Sequence, residues 1–225
     1  MQEYVEIARD SSPRGEVVLR ERHAADGAGS VLELRVNGVF VMDTQETASE
    51  QQLATVALAE VASPRAVLVG GLGLGYTVQA VLADRRVEHL VVAEVEESLV
   101  GWMRDGTVPH GPAFLADARL SVVTADVRRA VAEAPLASYD VVLLDVDNGP
   151  GHLVHQDNAA VYEPGFLAAA ADVLRPGGAL VVWSAAEAPQ LADDLAAVFG
   201  AAVPIPMAVR LQGRSEQYWL YLARR

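Results

Sequence analysis

The sequence predicts an α/β fold: a doubly wound, mostly parallel sheet with a small N-terminal β-hairpin domain ahead of it. Three observations carry this. A continuous apolar run, Ala66–Gly70, feeds the glycine cluster G-G-L-G-L-G, and a helical pattern follows to Leu82. From Ala66 onward strand-like and helical segments alternate, which implies parallel strands with helices on both faces. Residues 1–62 differ, holding short alternating segments around the Asn37-Gly38 pair, a hairpin signal.

In chain order, residues 16–20 and 31–42 read as strands, the latter folded at V-N-G-V. Residues 47–61 read as a helix, because Leu53, Val56, Ala57 and Val61 recur at helical spacing, and Ser63-Pro64 ends it. Val67, Leu68 and Val69 read as a strand buried on both faces. The following strands are expected at 88–94, 119–124, 139–145, 178–184, 202–210 and 216–223. The helices are expected at about 75–84, 96–104, 126–134, 158–174 and 187–199. Arg175-Pro-Gly-Gly178 reads as a helix stop before a buried strand. The division expected is residues 1–62 for the β unit with its connecting helix and residues 63–225 for the larger unit.

Composition narrows the function. The 225 residues contain no cysteine, which excludes disulfides, thiolate metal sites and a cysteine nucleophile, and suits a cytoplasmic setting. All seventeen basic residues are arginine, so lysine Schiff-base chemistry and a P-loop lysine are absent. A net charge of −13 argues against nucleic-acid and anionic-membrane partners and is compatible with a cationic small-molecule substrate. No apolar run is long enough to span a bilayer, and the first ten residues have no secretory pattern.

In such a sheet, ligands bind outside the carboxyl ends of the strands. Gly71, Gly73 and Gly75 follow the first strand of the larger unit and allow backbone to approach a ligand. Glu94 ends the next strand, about twenty residues on, where a carboxylate suits a pair of ribose hydroxyls. An NAD site and an S-adenosylmethionine (SAM) site both want this pattern. The glycine spacing is G-x-G-x-G with Tyr76 after it, which departs from the dinucleotide fingerprint and favours SAM. Asp126 opens a helix, where it reads as an N-cap or as a partner of an adenine amino group. Asp145 ends an otherwise apolar strand, an expensive place for an acid without a use, and suits a general base. Asp147 and Asn148 follow in D-V-D-N-G-P, which also reads as turn chemistry. His152 and His155 have no compelling third partner for a metal.

Taken in order, V-N-G-V-F-V-M-D, V-G-G-L-G-L-G-Y, Glu94, T-A-D at 124–126, Y-D-V-V-L-L-D-V-D and L-R-P-G-G-A-L-V-V-W-S resemble the spermidine synthase-like (polyamine aminopropyltransferase-related) branch of the class I SAM-dependent methyltransferase superfamily. The resemblance covers nearly the whole chain. It implies a Rossmann-like fold, with SAM or decarboxylated SAM held by Gly71, Gly73, Gly75, Glu94, Asp126 and Asp145. It makes Asp145 the group that takes a proton from the attacking amine, and Asp147, Asn148 and Glu50 substrate-facing residues. It also implies a homodimer. Three positions depart from the aminopropyltransferase pattern: Leu74 stands at a loop aspartate, Ala48-Ser49-Glu50 at a Tyr-His-Glu motif, and Asn148 at a second aspartate. Each removes a polar contact to a diamine or an aminopropyl chain. The reading drawn from the sequence is therefore methyl transfer from SAM to an amine or hydroxyl of a small molecule. Aminopropyl transfer from decarboxylated SAM is the alternative, and a non-catalytic binding protein with the same fold is a third.

Overall fold

The computed structural model describes residues 3–23 and 29–225. Four antiparallel strands come first: β1 (Glu3–Ser12), β2 (Gly15–His23), β3 (Ser30–Val36) and β4 (Val39–Asp43), paired in that order. The β3–β4 turn is the expected one, with Asn37 and Gly38 both at positive φ (52° and 75°), the geometry an Asn-Gly hairpin supplies. β1 has no counterpart in the sequence reading. It is an edge strand pairing only with β2, and Tyr4, Val5, Glu6 and Ile7 are all exposed, so no alternation marks a buried face.

Helix α1 (Ala48–Glu60) leads into the large sheet. Its strands are β5 (Ala66–Gly70), β6 (His89–Glu94), β7 (Leu120–Thr124), β8 (Tyr139–Leu144), β9 (Leu174–Ser184), β10 (Ala202–Leu211) and β11 (Arg214–Arg224). The order across the sheet is β10-β11-β9-β8-β5-β6-β7. β9, β8, β5, β6 and β7 are parallel, while β11 runs antiparallel to both neighbours. All five residues of β5 are buried, as an apolar strand covered on both faces requires. The strand order reverses between β5 and β8, the switch point where ligands bind in open α/β sheets.

The connecting helices are α2 (Tyr76–Ala83), α3 (Glu97–Asp105), α4 (Gly111–Leu115), α5 (Val127–Glu133), α6 (Pro164–Val173) and α7 (Pro189–Phe199). The single helix expected over 158–174 is in fact two pieces, a 3₁₀ segment Gln156–Tyr162 and then α6. Pro164 is the cause: it suits a first helical turn but pushes Glu163 to extended backbone (ψ 148°), which breaks continuity. The short helix α4 has no counterpart among the expected elements.

Two apolar layers flank the large sheet. One contains Val17, Leu19, Leu34 and Met42 of the N-terminal sheet together with Leu53 and Ala57 of α1, Val67 and Val69 of β5, and Val78 of α2. The N-terminal strands thus share a core with the glycine-loop region, and α1 packs on α2 and β9. Because Leu34 is fully buried in that shared layer, Leu34→Ala is expected to cost about 2–5 kcal/mol. It should shift one cooperative thermal transition. Two separate transitions, with only the smaller displaced, would contradict a common core.

Candidate active site

Backbone pairing builds the site. β5 and β8 lie in parallel register from Val67↔Val141 to Gly70↔Leu144, and the Asp145 N–H donates to the Gly70 carbonyl at 2.8 Å. The glycine loop and Asp145 therefore leave the sheet side by side. Gly71 has φ +92°, and a Cβ there would lie 2.1 Å from the Asp145 carbonyl oxygen, so no other residue fits. Between the strand ends and the N-terminal sheet lies an open cleft. Gly71, Gly73, Glu94, Asp126, Asp145 and Asp147 line it from the large sheet, and Val17, Leu34, Val36 and Val41 roof it. Gly75 stands apart: it is the left-handed residue before α2, and the Phe114 ring of α4 lies over it, 2.5 Å from where a Cβ would be.

Glu94 is buried and bound at both oxygens by backbone, Oε2 accepting from Leu72 N–H at 2.8 Å and Oε1 from Glu96 N–H at 2.7 Å. Burial pushes its carboxyl above the ordinary range. A carboxylate has lone pairs for about four bonds, so capacity for two hydroxyls remains. Asp126 caps α5: its Oδ1 accepts from Arg128 N–H at 2.8 Å, and the Arg128 guanidinium grips both oxygens. That arginine holds its carboxyl below the usual range. The capping role open to it in the sequence is thus filled, with Asp126 still on the cleft wall. Asp147, at φ +63°, accepts from the N–H groups of Asn148, Val154 and His155 and from Asn158 Nδ2, and so it organises the 148–158 loop. The Asn148 amide donates to Phe40 O at 3.2 Å, tying that loop to β4.

The catalytic candidates sit deeper. Thr77 Oγ1, at the start of α2, donates to Asp145 Oδ2 at 2.6 Å. Glu50 projects from the first turn of α1, 6% exposed, with Ser49 Oγ donating to its Oε2 at 2.7 Å. Burial and then the Asp145 charge push the Glu50 carboxyl up to about 7, and burial pushes Asp145 up to about 6. The two act as a pair, and no cationic side chain among the described residues counters them. Glu50 faces a second, smaller hollow lined by Phe40, Met42, Asp43, Glu46, Trp183 and Tyr218. Trp183 and Tyr218 pack edge to face at 4.9 Å, and burial with the charges of Glu50 and Glu46 raises the Tyr218 phenol to about 12. Acids against aromatic faces suit an ammonium group. His155 meets Asn37 rather than His152, and among the described residues no three metal-ligating side chains gather.

Thr77, Tyr218 and Arg14, which also lines the cleft, do not stand out in the sequence. Thr77 carries the one available signal, a hydroxyl in the first turn after the glycines. Tyr218 and Arg14 reach the site from distant hairpins, which local pattern cannot show. Leu74, placed at a loop aspartate by the resemblance, is fully buried in the core with Met42, and its carbonyl meets His110 Nε2 at 2.6 Å.

The full extent of the fold has close parallels. A spermidine synthase in complex with the transition-state analogue AdoDATO superposes with a TM-score of 0.81 at 18% identity, covering 97% of this chain and 73% of that one. Spermidine synthase from Thermotoga maritima gives 0.79, also at 18% identity, over 97% and 72%. The fold is that of spermidine synthase. In sequence, polyamine aminopropyltransferase 2 of Hyperthermus butylicus is 36% identical over 140 residues, 60% of this chain and 42% of that protein. The polyamine aminopropyltransferase of Aeropyrum pernix is 31% identical over 162 residues, 66% and 49% respectively. Putrescine N-methyltransferase 3 of Nicotiana tabacum is 28% identical over 121 residues, 54% and 30%. The chain spans less than half the length of these relatives. No family model matches. These similarities place its likeness in the spermidine synthase-like branch of the SAM-dependent methyltransferase superfamily. No helix among the described residues is long and apolar enough to cross a membrane.

The carboxylate pair sets a pH signature. Glu50 and Asp145 titrate higher folded than unfolded, so the native state holds extra protons and stability falls as pH rises from about 4 to about 7. Glu50→Gln and Asp145→Asn should each flatten that part of the unfolding profile. Slopes matching the unaltered protein would show that the pair does not titrate as described.

Proposed function

We propose that the chain is a SAM-dependent-type transferase that passes an aminopropyl group from decarboxylated SAM to an amine of the polyamine class. The observation that carries this is the Asp145–Glu50 pair. It stands between the glycine-loop cleft and an acidic, aromatic hollow, with Thr77 fixing one Asp145 oxygen. The residues present fit an adenosyl sulfonium. Glu94 keeps spare acceptor capacity for ribose hydroxyls, and Gly71 leaves no side chain beside Asp145. Asp126 stands on the wall near an adenine, and acids rather than bases surround the place of a cation.

When bound, such a group supplies an alkyl carbon activated by positive sulfur. This chain's part is positioning and proton management. Asp145 accepts a proton from the ammonium or amine nitrogen of the acceptor and so frees its lone pair. An elevated carboxyl affinity for protons serves that task near neutral pH. Glu50, with Tyr218 and Trp183, balances and packs the acceptor's charge. Asn148 and Asp147 contribute by shaping the loop over it.

The named relatives at higher identity are aminopropyltransferases, and this supports the alternative drawn from the sequence over methyl transfer. The objection from Leu74 weakens because that side chain is packed in the core. Glu50 offers an acid for an amino end from α1 instead. Methyl transfer is the second reading, favoured by the absence of any acid in the glycine loop and by the putrescine N-methyltransferases among the relatives.

Incubation with putrescine and either decarboxylated SAM or SAM, followed by mass spectrometry, separates these. The expected result is an aminopropylated product and methylthioadenosine. A methylated product from SAM would move the assignment to the second reading, and no product with any of several amines would overturn both. Asp145→Asn should lower turnover about a hundredfold or more with little change in methylthioadenosine affinity.

A further inference from the structure

Arg14 lies in the turn between β1 and β2 and lines the cleft. Among the described residues it is the one arginine in the cleft's lining, where Glu94, Glu96 and Asp126 also stand. Its Nε donates to Glu96 Oε1 at 3.2 Å and its Nη2 to Asn158 Oδ1 at 3.5 Å. Glu96 follows β6, and Glu96 N–H is one of the two backbone donors that hold Glu94. Asn158 belongs to the 3₁₀ segment, and its Nδ2 donates to Asp147. One guanidinium thus joins its own turn to segments that lie 82 and 144 residues away in sequence.

A second hairpin turn braces the first. Asn37 Nδ2 donates to Arg14 O at 3.3 Å and stands 3.1 Å from His155 Nε2, while its Oδ1 accepts from Glu16 N–H at 2.9 Å. The two turns together form a strap from the N-terminal sheet across the cleft to the 147–158 loop. Beneath them the roof is apolar (Val17, Leu34, Val36) and shares the core, so the sheet itself stays put. The polar contacts at the rim are different. The Arg14 side chain is 25% exposed and its two bonds are long. Partly solvated pairs of this kind are individually weak and break readily. A weak, forked contact above a firmly anchored sheet has the character of a latch.

We propose that Arg14 is this latch: it closes the strap over the adenosyl end of the cleft and sets how fast an adenosyl ligand leaves. The proposal rests on the adenosyl reading of the cleft given above. Arg14 is a positioning residue that acts through Glu96 and Asn158. A guanidinium serves because Nε and Nη2 can reach two partners at once, whereas an ammonium is a single point.

The test is stopped-flow dissociation of 5′-methylthioadenosine, with equilibrium affinity and thermal midpoint measured alongside. Arg14→Ala should speed dissociation about tenfold or more while leaving the thermal midpoint unchanged. Arg14→Lys should recover only part of the slow release. An unaltered release rate in Arg14→Ala would overturn the latch and leave the adenosyl reading standing. A faster release accompanied by a matching fall in thermal midpoint would overturn it too, by showing a merely structural role. If methylthioadenosine does not bind the unaltered protein at all, the adenosyl reading falls and the latch falls with it.

Discussion

The site depends on one backbone contact. β5 and β8 are adjacent parallel strands, and at their carboxyl ends Gly71 passes within reach of the Asp145 carbonyl, where even a methyl group would collide. That closeness brings the glycine loop and the acid to one place without any side-chain interaction between them. The apolar runs of both strands hold the register, since β5 is buried throughout and β8 in all but its first residue. Thr77 then fixes Asp145 from the helix that the glycine loop starts. The candidate site is thus anchored to a deeply buried pair of strands rather than to a surface loop.

Electrostatics follow from where arginine is placed. Several arginines serve the scaffold: Arg86 donates to the Leu58 and Val61 carbonyls at the end of α1, and Arg119 to those of Leu82, Asp84 and Val87 in the last turn of α2 and just beyond it. Others neutralise acids within the N-terminal sheet, as with Arg20 and Arg35 on buried Glu33. Among the described residues, no arginine pairs with Glu50 or Asp145. Two neighbouring buried carboxyls without a counter-cation resist ionisation together, and a cationic ligand relieves that repulsion. A protonated amine and a sulfonium are both cations, so under the proposed transfer the same arrangement that raises the carboxyls' proton affinity would also favour their binding.

Much of this is legible in the sequence, for identifiable reasons. The buried strand Ala66–Gly70, the Asn37-Gly38 turn and the strand-end acids Glu94 and Asp145 all announce themselves by local pattern. What is not legible depends on distant parts meeting. The exposed edge strand β1 has no periodicity to read, and Pro164 splits a helix that composition alone would continue. At Asp126, capping and adenine binding look alike in sequence, and only the bond from the Arg128 backbone N–H to Asp126 Oδ1 reveals the capping role. Leu74 is the instructive case. Read as a lost acid it speaks for methyl transfer, but its side chain belongs to the core, and an acid that feels the Asp145 charge comes from α1 as Glu50.

If the cleft is built for an adenosyl group with its sulfur toward Asp145, a crystal structure with 5′-methylthioadenosine tests that most directly. The ribose hydroxyls are expected on Glu94, the adenine beside Asp126 and the thioether on the Asp145 side of the glycine loop. A ligand bound elsewhere, or one whose ribose makes no contact with Glu94, would contradict an adenosyl site.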